Sequence, residues 1–154
     1  MSVAGSPAGQ ATGRLRQVDV RGPRFAAAIT TLVIALAFLF RAPWLVAVQA
    51  LVFAIGAAAG LRAAPYGVLF RVVRDLAKLG PPRRTEPEAP PRFSQLIGAV
   101  MLAAALVAFA AGQATVAWVL ALAAFAAALL NATTGFCVGC ELFLLGQRLR
   151  RRPA

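Results

Sequence analysis

Two cysteines are the side chains in this chain whose type and spacing could do covalent chemistry. They fall in Phe136-Cys137-Val138-Gly139-Cys140-Glu141, and Cys-x-x-Cys is a spacing used for thiol–disulfide exchange. On a helix, positions i and i+3 share a face, and a modest turn at the helix start brings the two sulfurs into disulfide reach. The preceding Asn131-Ala-Thr-Thr-Gly135 offers Thr133 or Thr134 as an N-cap. Cys137 then lies in a first turn, where free N–H groups and the helix dipole favour a thiolate. Glu141 acts in two directions: its charge disfavours a second anion nearby, and its place beside Cys140 suits a proton shuttle. The expected catalytic set is Cys137 as the more exposed nucleophile, Cys140 as the resolving thiol, and Glu141.

A packing role accounts for the same residues differently. Cysteine is small and compatible with lipid, and Gly139 permits close helix approach. Metal is not expected, because structural zinc wants four ligands where the chain supplies two thiolates; only Cu(I), or a pair of chains, could use them. Histidine is absent, which removes His-based acid–base, triad and zinc chemistry. No cofactor is expected.

The elements that must position the cysteines are membrane helices. Hydrophobic residues make up 60% of the 154 and charged residues 14%, against about 45–50% and about 25% in soluble domains. That difference excludes a soluble globular enzyme, a disordered tail and a DNA-binding domain. Four apolar runs are present: Phe25 to Phe40, Pro43 to Leu61, Phe93 to Gly112 and Ala114 to Leu130. Each is close to the roughly 17–25 residues a helix needs to span hydrocarbon. Arg41-Ala-Pro43-Trp44 and Gly112-Gln113 make the turns of two helical hairpins. Residues Met1 to Gln17 read as a disordered leader without a signal-peptide pattern. The Pro-rich stretch of residues 80–90 reads as a solvated, semi-rigid linker, and residues 151–154 as a basic tail. A four-helix membrane domain over 18–150 is the expected organisation.

Arginine placement sets orientation. Arg14, Arg16, Arg21 and Arg24 precede the first helix; Arg62, Arg71, Arg74, Lys78, Arg83, Arg84 and Arg92 fill the central connection; Arg148, Arg150, Arg151 and Arg152 end the chain. Arg41 alone falls on the other side. This asymmetry predicts a multi-pass inner-membrane protein with both termini cytoplasmic. It also predicts contact with anionic lipid headgroups. The net charge of +11 is not read as nucleic-acid binding, since no aromatic–basic stacking motif accompanies it. No helix carries a central Asp, Glu or Lys, which disfavours a small ion-coupled exporter. Gln49, Gln95 and Asn131 are expected to make interhelical hydrogen bonds.

Laid over itself at an offset of 68 residues, the chain matches Pro23-Arg24-Phe25 with Pro91-Arg92-Phe93, Ile29 with Ile97, and Gly67 with Gly135. A parallel internal repeat is expected, with halves of about 23–79 and 91–149. In the first half Gly67 opens Val68 to Leu79, where Val68, Leu69, Val72, Val73, Leu76 and Leu79 form one stripe opposite Arg71, Arg74, Asp75 and Lys78. This is an interfacial amphipathic helix. By the same offset Gly135 opens an equivalent helix, Phe136 to about Leu149, and Cys137 and Cys140 take the places of Leu69 and Val72 on an inward apolar stripe. The fold class is thus all-α integral membrane: four transmembrane helices as two hairpins, each followed by a cytoplasmic interfacial amphipathic helix.

Val18-Asp-Val-Arg-Gly-Pro-Arg-Phe25, Pro65-Tyr-Gly67, Pro90-Pro-Arg-Phe93 and Leu130-Asn-Ala-Thr-Thr-Gly-Phe-Cys-Val-Gly-Cys-Glu141 resemble a bacterial multi-pass membrane family known as domain of unknown function 4395. The resemblance covers nearly the whole chain after Gln17. It implies company with thioredoxin-like proteins and sulfurtransferases, which suits Cys137 and Cys140 as a thiol relay. The preferred expectation is a membrane thiol–disulfide or sulfur-relay protein working with such a partner. The alternative is a non-enzymatic membrane anchor or scaffold for a cytoplasmic partner.

Overall fold

The computed structural model describes residues 16–150; most of the expected leader and the basic tail lie outside them. Six helices and one short strand pair follow in the order β1 (Gln17–Asp19), α1 (Arg21–Leu39), α2 (Pro43–Ala59), α3 (Pro65–Leu76), β2 (Thr85–Pro87), α4 (Ala89–Ala110), α5 (Ala114–Thr134) and α6 (Val138–Arg150). Three of them, α1, α4 and α5, are long and apolar enough to cross a membrane, while α2 is apolar but shorter. Their outward faces are apolar too: Leu32 is 58% exposed, Val107 69% and Val119 61%. Such surfaces are stable against lipid and not against water. The fold is that of a helical membrane protein.

Small residues set the packing. Ile34, Val46 and Leu102 are fully buried among Ala37, Ala105 and Ala121, and the alanines let the helix backbones approach closely. α2 lies against α4, where a Cβ on Gly98 would come within 2.6 Å of the Phe53 ring. At the hairpin-turn end, Trp118 meets Phe38 and Phe109 edge-on, with centroids 5.4 and 5.0 Å apart. Both turns form where expected, Pro43 standing in the first turn of α2 and Gly112 at φ +74°.

The opposite end carries the connections. The stretch read as a solvated linker contains β2, which pairs antiparallel with β1 in the register Gln17↔Pro87, Val18↔Glu86 and Asp19↔Thr85. α4 then starts four residues earlier than the apolar run, at Ala89, because Pro90 and Pro91 occupy a first turn whose N–H groups need no partner. Buried Glu88 joins these pieces. Its carboxylate accepts the Leu61 N–H at 2.7 Å and faces the Arg16 guanidinium at 3.8 Å. Gly60, at φ +88°, makes room for it. Arg21 holds Asp19 and also donates to the Leu79 and Pro81 carbonyls at 3.4 and 3.2 Å. Burial pushes the Asp19 carboxyl up, but the hydrogen bonds and charge of Arg21, with Arg74 beyond, outweigh it and hold Asp19 below its ordinary value. Glu86 goes the other way, raised by burial against the smaller pull of Arg84.

The two Pro-Arg-Phe triplets do the same work. Arg24 donates to the Ala132 and Thr133 carbonyls at 3.4 and 3.2 Å, at the C-terminus of α5. Arg92 donates to the Ala57 and Ala58 carbonyls, both at 2.6 Å, at the C-terminus of α2. Each guanidinium therefore reaches into the other hairpin and neutralises carbonyls that no helical N–H can reach. Each phenylalanine packs on the third helix of its own half: Phe25 on Phe70 at 5.6 Å, Phe93 on Phe143 at 5.5 Å. Arg92→Gln should lower stability by about 1 kcal/mol, and Arg24→Gln by less, given its longer bonds. Thermal unfolding of the purified protein in detergent checks the ranking.

The constant offset of 68 does not survive beyond the first helix of each half. α4 has 22 residues against 19 in α1, and α5 has 21 against 17 in α2. The phenylalanine partners in the third helices, Phe70 and Phe143, are accordingly 73 positions apart. Gly67 lies inside the first turn of α3, whereas Gly135 ends α5, so the two glycines are not equivalent helix starts. The α3 stripe is also turned the other way from the expectation. Phe70 is buried, and Leu69, Val72 and Leu76 are 43%, 49% and 79% exposed. The apolar side of α3 faces away from the bundle.

Candidate functional site

Cys137 and Cys140 lie where α5 hands over to α6. α5 does not stop at Leu130 but continues through Asn131 to Thr134, and Gly135 closes it in the left-handed conformation at φ +78°. Only glycine takes that conformation without cost. Thr133 and Thr134 therefore do not cap the cysteine helix as expected. Their hydroxyls bond back to the Leu129 and Leu130 carbonyls at 2.8 and 2.7 Å. The Thr134 hydroxyl also accepts the Phe136 N–H at 3.1 Å, which tightens the turn.

The cap of α6 is Cys137 itself. Its carbonyl accepts the Glu141 N–H at 3.0 Å, the first helical bond. Its Sγ accepts the Cys140 N–H at 3.3 Å, the contact that a serine or aspartate makes as an N-cap. Cys137 and Cys140 are joined as a disulfide, with Cα atoms 5.2 Å apart. Both residues are half-buried, so exposure does not separate nucleophile from resolver. What separates them is the cap: the Cys137 sulfur sits on the helix N-terminus and receives an N–H, and the Cys140 sulfur receives none from the described residues.

Gly139, between them, is buried because α6 presses on α4. A Cβ at this position would stand 2.6 Å from Ser94 Oγ and 2.8 Å from its Cα. Glu141 is exposed in the first turn, and among the described residues no hydrogen bond or ion pair engages its carboxylate. Matching the aromatic pairs of the two halves sets Cys137 against Ala64, the N-cap of α3, and Cys140 against Gly67. This spacing does not set the cysteines against Leu69 and Val72, as the offset of 68 would.

Behind Cys137 is a cavity of about 290 Å³ between α1, α4, α5 and α6. A larger one, about 390 Å³, lies between α1, α2 and α3 beside Tyr66, Phe70 and Arg71, and the cysteines do not line it. The polar residues singled out from sequence divide here. Gln49 is fully buried and makes the expected interhelical bonds, donating to Thr30 Oγ1 at 3.1 Å and accepting the Tyr66 hydroxyl at 2.6 Å; burial raises the Tyr66 phenol above its ordinary value. Gln95 and Asn131 instead line the cavity behind Cys137, and among the described residues their side chains hydrogen-bond no other group. Ser94 lines it as well. No local pattern in the sequence marks Ser94, because its place depends on α6 returning to α4.

A helical membrane bundle with a cysteine pair at a helix N-terminus is the class that fold and site define. Residues 18–148 match the family described as Domain of unknown function (DUF4395), and the chain belongs to that family. No curated protein and no solved structure matches.

Proposed function

We propose that this is a four-span membrane thiol–disulfide or sulfur-relay protein whose Cys137–Cys140 pair works with a soluble thioredoxin-like or sulfurtransferase partner at the cytoplasmic face. The observation that carries the reading is the Cys140 N–H directed at Cys137 Sγ on the first turn of α6. Reduced, that sulfur is the better thiolate, since an N–H bond and the helix dipole favour its charge. The Cys137 thiolate attacks a disulfide-bonded acceptor and forms a mixed disulfide. Cys140 then attacks Cys137 Sγ, the acceptor leaves as a dithiol with two electrons, and the intramolecular disulfide closes. The Cys140 proton ends on the acceptor, with exposed Glu141 the neighbouring carboxylate to carry it, and the acceptor takes its second proton from solvent.

Four spans, a duplicated hairpin and cytoplasmic termini belong to the same proposal. The 17 residues of α2 reach about 25 Å at about 1.5 Å per residue, slightly less than the hydrocarbon core, and flanking Trp44 and Arg41 suit interfaces. The reciprocal caps of Arg24 and Arg92 support two copies of one hairpin packed about an axis along the membrane normal. The outward stripes of α3 and of α6, with Leu142, Leu145 and Leu149 exposed, suit helices lying in the lipid interface. A cytoplasmic reporter enzyme fused after Ala154 should be active, and activity of an export-dependent reporter there would reverse the map.

The function is tested by equilibrating purified protein with glutathione redox buffers and counting thiols. A reversible two-electron transition, lost in the Cys137→Ser/Cys140→Ser variant, is the expected result. The close contact of Gly139 with Ser94 favours the second reading, in which this segment only packs and the protein is an anchor or scaffold. A pair that never exchanges with glutathione would leave that reading in place.

A further inference from the structure

We propose that the cavity behind Cys137 is a binding site for the ring of a membrane quinone, and that this quinone is the acceptor of electrons from the Cys137–Cys140 pair. The inference rests on the thiol-exchange reading above and puts a quinone in the place of its disulfide-bonded acceptor, so that the soluble partner supplies electrons instead of taking them. Three observations carry it. Cys137 lines the cavity and Cys140 does not, so of the pair it is the capping cysteine that a bound molecule meets. Small residues of α5, among them Ala124 and Ala127, make the room, and the volume of about 290 Å³ is roughly twice the 150 Å³ that accommodates benzene in an engineered cavity. Ser94, Gln95 and Asn131 line it as hydrogen-bond donors without a side-chain partner among the described residues.

Apolar walls with a few convergent donors beside a sulfur suit a flat apolar molecule carrying carbonyl oxygens. A bilayer supplies one class of such molecule that also accepts two electrons. The balance closes without further reagents. Cys137 as thiolate and Cys140 as thiol give up two electrons as the S–S bond forms. The quinone takes those electrons with two protons, one from Cys140 and one from solvent, and leaves as the quinol. The soluble partner is then the donor: its thiolate attacks the sulfur of Cys140, the cysteine that does not line the cavity, and expels the stabilised Cys137 thiolate. Its second thiol attacks the mixed disulfide, releasing Cys140 and leaving the partner oxidised.

The test uses the full chain in detergent with ubiquinone-1 as probe. Reduced protein, freed of reductant, should form one quinol per chain while both thiols disappear. The Cys137→Ser/Cys140→Ser variant should bind the probe and form no quinol. Ala127→Phe, which fills the cavity, and Asn131→Leu, which removes a donor at similar volume, should each weaken binding by about tenfold or more, with folding checked by thermal unfolding. Absence of binding to the native chain, or binding that both variants leave unchanged, overturns the inference. If the pair exchanges with glutathione yet reduces no quinone, the inference fails and the thiol reading stands. If the probe binds in the cavity while the pair exchanges with nothing, the thiol reading fails, and with it the acceptor role proposed for the quinone.

Discussion

After reduction, Cys137 should be alkylated about tenfold faster than Cys140 at neutral pH, with its labelling rising at lower pH than that of an unperturbed thiol. The cause is local. The Cys140 N–H reaches Cys137 Sγ at 3.3 Å, and the sulfur stands at the N-terminus of a 13-residue helix. A helix terminus is worth about 0.3–2 kcal/mol to a charge placed on it, and about 1.4 kcal/mol corresponds to tenfold in an equilibrium constant. Cys140, within the first turn, has no comparable donor among the described residues. Glu141 supplies an internal check. Its carboxylate in the same turn opposes a nearby thiolate, so Glu141→Gln should speed labelling of Cys137. If the carboxylate also receives the Cys140 proton, the same variant should slow the closing of the disulfide. Labelling and closing would move in opposite directions, which a purely electrostatic role does not produce. Mass spectrometry of peptides labelled across a pH series measures both. Equal, slow labelling of the two thiols would defeat the assignment of Cys137 as nucleophile.

The parts of this fold that can be read from sequence are those whose cause is local. Apolar length and the turn residues Pro43 and Gly112 give both hairpins. The amphipathic pattern of α3 is also visible, though not which way its apolar side faces, because the contacts that orient it, Phe70 on Phe25 and the Tyr66 hydroxyl on Gln49, are made with helices distant in sequence. Residues 80–90 are largely exposed, as a solvated linker is, but β2 within them is not legible because it depends on a partner some seventy residues away, and strand pairing leaves no local period in a three-residue segment. Gly135 was ambiguous for a related reason. A glycine at a helix boundary can precede a helix or end one, and the positive φ that ends α5 is a property of the folded chain. The arginines show the same limit. Their one-sided distribution is visible, yet Arg24 and Arg92 also cap the helices of the opposite hairpin, a role that exists only once the hairpins pack. At the site, spacing identifies the cysteine pair, but the cavity requires the return of α6 to α4.

Gly139→Val should cost about 3 kcal/mol of stability and reduce the reactivity difference between the two thiols. Glycine is intrinsically poor in a helix, about 1 kcal/mol worse than alanine, so a substitution that merely restored propensity would stabilise α6. The packing reverses the sign. Any Cβ at 139 meets Ser94 Oγ, Cβ and Cα at 2.6, 2.7 and 2.8 Å, and the last of these is backbone that no rotamer change can move. α6 must then shift off α4, at the roughly 1–3 kcal/mol typical of overpacking, and more for a branched side chain. The shift acts on chemistry as well as stability, because Gly139 lies between the two cysteines and its neighbour Cys140 supplies the N–H on Cys137 Sγ. Gly139→Ala is the milder test, and Ser94→Gly its partial remedy. Removing the Ser94 side chain clears two of the three contacts and leaves the Cα, so the double variant should recover part of the loss in a mutant cycle. Unfolding in detergent reads the stability and alkylation reads the thiols. Recovery of both together would tie the reactivity of Cys137 to the seat of α6 on α4; stability recovered without reactivity would confine Gly139 to packing.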